Sequence, residues 1–220
     1  MIRHFETELK HLMERLRHMG MIVESMINKA IQSSIHRDEA LKKEVLKGEQ
    51  EVNGIQIEID DLCITLLALQ QPAAADLRFI TSAMKINSDL ERMGDQAVNI
   101  TDHSIDSVDC MPANVIEDIG QMSRLVRKMV NDSLEAFVTR DVETARTVLS
   151  LDDQVDSLKE QVYLEIQNCI KGDVEKLDRS LDLILISRNL ERIGDHATNI
   201  SEDVIYMMLG KDVRHHQQKI

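Results

Sequence analysis

A chain of 220 residues with a net charge of −13, 2% aromatic residues and no Trp is a poor nucleic-acid binder, because phosphate neutralisation needs a basic face and base stacking needs rings. Its length holds one large domain or two small ones, and its wealth of Leu, Ile, Met, Glu, Asp and Lys with only two Pro suits long helices. Cys63, Cys110 and Cys169 are far apart and odd in number, which argues against a disulfide framework or a cysteine zinc site and fits a reducing cytoplasm.

The first element follows from Leu9, Leu12, Leu16, Met19, Val23 and Ile27, which step by threes and fours in the helical period. The next runs from Val45 through Val52, Ile55, Ile59, Leu62 and Leu66 to Leu69, and a third from Leu77 to Ile105. Three more follow: Ile119 to Phe137, Val148 to Cys169 and Leu177 to Met208. Breaks are predicted near Arg37-Asp38, at Gln71-Pro72, around Cys110-Met111-Pro112, near Arg140-Asp141 and at Gly172-Asp173. Asp38, Asp141 and Asp173 suit helix N-caps, and Pro72 suits a first helical turn. The twelve Met residues serve as flexible core filler where aromatics are scarce. Helices of roughly 30 residues are about 45 Å long, and short connections make neighbours antiparallel. The fold class is therefore all-α: six long antiparallel helices in two tandem, internally repeated three-helix bundles, residues 1–110 and 111–220. Met1 to Glu6 is polar and acidic rather than a signal peptide, and no apolar run approaches the ~18 residues that span a bilayer. Membrane association is expected only through a partner.

The repeat is explicit in Leu90 to Ile100 and Leu190 to Ile200, identical at eight of eleven positions one hundred residues apart. Packing preserves apolar positions, but Glu, Arg, Gly, Asp and Asn recur in register too, which points to a shared chemical task. Acidic pairs at i and i+4 mean little alone, since chance supplies about seven in a chain of this composition. Position adds the information. In an antiparallel hairpin, residues equidistant from the turn are level. That rule levels Glu49 with Asp95 and Asn53 with Glu91 about Pro72, and Asp152 with Asp195 and Asp156 with Glu191 about Gly172-Asp173. Asn99 and Asn199, with His103 and Asp203 beyond, extend the later strip. Such an oxygen-rich groove suits hard or borderline cations: Fe, Mn, Mg or Ca. Asn53 leaves the first hairpin three carboxylates against four, so the second is expected to bind metal more tightly. Gly94 and Gly194, between the acids of each pair, leave room for an ion or a close helix. The bland alternative is a solvated acidic face. Arg92 and Arg192 are expected in ion pairs with neighbouring acids, His196 as an exposed helix residue, and His215-His216 in a polar tail.

These residues also carry a family resemblance. Leu69 to Ile80, Leu90 to Asp95 and Glu191 to Tyr206 closely resemble the PhoU family of bacterial phosphate-signalling accessory proteins, and the likeness covers nearly the whole chain. It implies a cytoplasmic homodimer acting as a negative regulator of phosphate uptake and phosphate-starvation genes. The implied partners are the ATPase subunit of a phosphate ABC transporter and a two-component sensor histidine kinase. It also implies multinuclear metal clusters, iron among them, bound through Glu/Asp-x-x-x-Asp motifs. These match Glu91 with Asp95, Glu191 with Asp195 and Asp152 with Asp156, while Glu49 with Asn53 departs from the pattern.

Two other functions compete. A carboxylate-bridged di-iron oxidase or metal-storage bundle would use paired Glu-x-x-His motifs, and only Glu8-Leu9-Lys10-His11 has that spacing. No nucleophile motif or phosphate loop is present, so the chain does not read as an enzyme. A metal-free helical adaptor is the other.

Overall fold

The computed structural model describes residues 2–103, 113–172, 177–211 and 213. Six helices follow in order: α1 Ile2–His36, α2 Glu39–Gln70, α3 Ala74–Thr101, α4 Ala113–Thr139, α5 Val142–Gly172 and α6 Leu177–Leu209. Local chemistry sets the turns. Asp38 caps α2 by accepting from the Ala40 and Leu41 amides at 2.8 and 3.2 Å. Asp141 opens α5 in the same way, accepting from the Thr144 hydroxyl and the Glu143 amide, and those bonds hold its carboxyl below the usual range. Before each cap the chain reverses through a left-handed arginine, Arg37 at φ 51° and Arg140 at φ 59°, the conformation that commonly ends a helix.

Gln71, also left-handed, ends α2, and α3 begins at Ala74 with Ala73 as its cap. Pro72 therefore precedes the new helix instead of occupying its first turn. The expected breaks at Cys110-Met111-Pro112 and Asp173, the 110/111 boundary and His215-His216 lie outside the described residues.

Helices α1, α2 and α3 pack mutually, as do α4, α5 and α6, and the two sets join along α3–α6 and α1–α4. Burial repeats with the sequence: Val45, Val52, Ile55 and Ile59 of α2 match Val148, Val155, Leu158 and Val162 of α5, and one apolar cluster runs through both sets. The α3–α6 seam is antiparallel. Arg78 Nε donates to the Met207 carbonyl at 3.2 Å, His196 Nδ1 lies 2.8 Å from Asp89 Oδ1, and His103 Nδ1 lies 2.9 Å from Asp182 Oδ1. This register centres the seam near Met93 and Ile193, so the repeated segments cross about a local two-fold axis. On the α1–α4 side, Arg127 reaches Asn28 at 2.9 Å and Glu24 at 3.2 Å. Gly20 lets the helices approach so closely that a Cβ there would stand 2.1 Å from Leu134 Cδ1.

Candidate functional site

The hairpin geometry brings the acids level. In the second hairpin Asp152 Oδ1 lies 3.7 Å from where Gly194 would carry a Cβ. Burial and then the charges of Asp195, Asp156, Asp153 and Glu191 push the Asp152 carboxyl up to about 6. Asp195 is also raised, first by burial and then by Glu191 and Asp156. The four carboxylates Asp152, Asp156, Glu191 and Asp195 thus repel as one cluster.

The first hairpin repeats this more weakly. Burial raises Glu91, Asp95 and Glu49 add to the rise, and Arg92 and His196 oppose it. Asn53 stands beside Val52, whose Cγ1 faces Gly94 at Cβ-contact distance, and it adds an amide instead of a charge. A Cβ on Gly94 would also meet Met26, and one on Gly194 would meet Met129 and Val155, all at 3.6–3.7 Å. Both glycines thus serve close apolar helix packing; only Asp152 brings an oxygen near.

Lys159 is the residue that the acidic pattern does not announce. Its Nζ donates to Glu191 Oε1 at 2.6 Å and to Asp156 Oδ1 at 3.1 Å. Bonding to Glu191, more than the partial burial that opposes it, raises its own pKa. The rule that levels the acids sets 159 opposite Arg188, so Lys159 reaches Glu191 only by leaning back one helical turn along α5 towards Asp156, and levelling alone does not find this cation. Among the described residues no three His, Cys, Asp or Glu side chains converge closely enough to hold a metal ion as they stand, and Lys159 fills the space between two of the acids. The donor set itself suits a divalent cation: four mutually repelling carboxylates on two facing helices. Asp156 and Glu191 must let go of Lys159 to serve it.

Other expected members go elsewhere. Asp203 is buried and pairs with Lys85 at 2.8 Å, His103 turns to Asp182, and Asn199 donates to Asp89 at 3.3 Å. These three belong to the α3–α6 seam and do not extend the acidic groove; Asn99 remains exposed. His196 is only 14% exposed, because α6 lays it against Asp89 of α3 and not in solvent. Arg92 and Arg192 are exposed and make no ion pair among the described residues; Arg92 acts on Glu91 only through space.

The family model for the PhoU domain matches residues 16–103 and again 119–204, covering both copies of the hairpin and its acids. The chain belongs to the PhoU family. A PhoU homolog of Pseudomonas putida, named as a phosphate-specific transport system accessory protein, is 38% identical over 96% of this chain and 83% of its own length. The Aquifex aeolicus homolog is 37% identical over 96% of both chains. The crystal structure of PhoU from Pseudomonas aeruginosa superposes with a TM-score of 0.87 at 34% identity, covering 94% of this chain and all of that one. The Streptococcus pneumoniae phosphate transport system regulatory protein PhoU gives the same TM-score at 30% identity, covering 95% and 99%. Neighbours of this kind fit a PhoU-family chain of six helices in two repeats. No helix among the described residues is long and apolar enough to cross a membrane.

Proposed function

We propose that this chain is an accessory protein of phosphate transport that restrains uptake and phosphate-starvation genes when phosphate is plentiful. The observation that carries this reading is the pair of PhoU domains, with relatives named for the phosphate-specific transport system matching along nearly the full chain. In this reading the protein is a cytoplasmic homodimer. It meets the membrane only through the ATPase subunit of the ABC transporter, relays transporter state to a sensor histidine kinase, and catalyses no reaction.

Two metal sites belong to the proposal. Asp152, Asp156, Glu191 and Asp195 would hold a cation in the second half, and Glu49, Asn53, Glu91 and Asp95 in the first, with iron among the candidates. A bound cation neutralises the clustered charge and ties α5 to α6, or α2 to α3, so binding adds stability by mass action. An oxidase reading finds little support, since His11 of the lone Glu-x-x-His is exposed. A metal-free adaptor differs from the proposal in elemental content, measured on protein purified without a metal-affinity tag.

Deleting the gene in its host should switch on a phosphate-starvation reporter in phosphate-replete medium, and supplying the intact chain should silence it. A reporter that stays silent in the deletion strain, with no second PhoU-family gene present, would remove the regulatory reading.

A further inference from the structure

Lys159 bridges Asp156 and Glu191 at 3.1 and 2.6 Å. The equivalent position in the first hairpin is Gln56, whose carbonyl accepts from Asn87 Nδ2 at 3.0 Å while the same amide donates to Asp60 at 2.9 Å. Glu49, Glu91 and Asp95 form no ion pair among the described residues. One carboxylate cluster therefore carries its own cation, and the other does not.

The second hairpin also gives that cation somewhere to go. An open groove of about 330 Å³ lies between α5 and α6 beside the lysine, lined by Lys159, Tyr163, Ser187 and Glu191 among others. A lysine stem of four methylenes can swing into such a space without disturbing the helices.

We infer that Lys159 is an exchangeable counter-ion that a divalent metal must displace, so that it weakens metal binding in the second half and sets the order in which the halves load. The inference rests on the reading that the carboxylates bind metal. Without metal, the ammonium relieves repulsion among Asp152, Asp156, Glu191 and Asp195 and so keeps the hairpin closed. With metal, two positive charges cannot share Asp156 and Glu191, and the monovalent one yields. Counting carboxylates puts the second half first; counting Lys159 as well takes away that advantage.

The test is calorimetric titration with Mn²⁺ in backgrounds that each silence one half. In E91Q/D95N, which leaves the second half alone, adding K159Q should tighten Mn²⁺ binding about tenfold, the lower end of the range over which groups bonded to metal ligands change affinity, here with the opposite sign because the group competes with the metal. In E191Q/D195N, which leaves the first half alone, K159Q should change nothing, and Q56K should weaken binding. Second-half affinity that K159Q leaves unchanged or lowers would overturn the inference while metal binding stands. Absence of Mn²⁺ binding from wild type and every variant would instead overturn the metal reading beneath it.

Discussion

Cys63 shows how far a side chain's surroundings override its nature. It is fully buried on α2, and burial, with Asp60 adding its charge, pushes the thiol up to about 12. Because the thiolate is the reactive form, a C110S/C169S variant that retains only Cys63 should resist a disulfide reagent at pH 8 until urea unfolds it. Rapid labelling of the native protein would contradict this burial. The acidic residues were legible in the sequence because height in a hairpin is arithmetic: Asp152, Asp156, Glu191 and Asp195 had to be level once the turn was placed. Lys159 and His196 were not legible in the same way. Each is defined by a partner on another helix, Lys159 by Glu191 and His196 by Asp89 across the repeat boundary, and no count along one helix shows what the facing helix presents.

At the level of helices, the apolar period sufficed for all six elements, while caps located two starts, at Asp38 and Asp141, each after a left-handed arginine, and Pro72 misplaced the start of α3. Which faces approach most closely depends on side-chain volume summed over two helices, and there the pattern is silent. Glycine makes the contrast measurable. Nothing stands within 4 Å of a Cβ on Gly54, whereas one on Gly20 would strike Leu134 at 2.1 Å. G54A should therefore stabilise α2 by about 1 kcal/mol through helix propensity, whereas G20A should fall short of that gain, because the same propensity is set against the displacement of the Leu134 side chain. Urea unfolding compares them directly, and equal shifts for both would mean that Leu134 gives way at no cost.

Across the whole molecule, the two repeats pack on one another along the α3–α6 and α1–α4 seams, which predicts that they unfold together. A double-mutant cycle on D89A and H196A should show a coupling of about 0.5–3 kcal/mol, as expected for residues in contact, within a single unfolding transition. Two separate transitions would mean that the seam does not couple the repeats, and additive effects would mean that the Asp89–His196 pair contributes nothing to it. The local two-fold axis has a further consequence. The positions that the axis equates with His196 and Asp89 hold Gln96 and Asn189, and where one hairpin holds Lys159 the other holds Gln56. A bar with interchangeable ends can be gripped either way round. This molecule has the frame of such a bar but different chemistry at its two ends, so the axis relates the backbones of the two halves and not their charges.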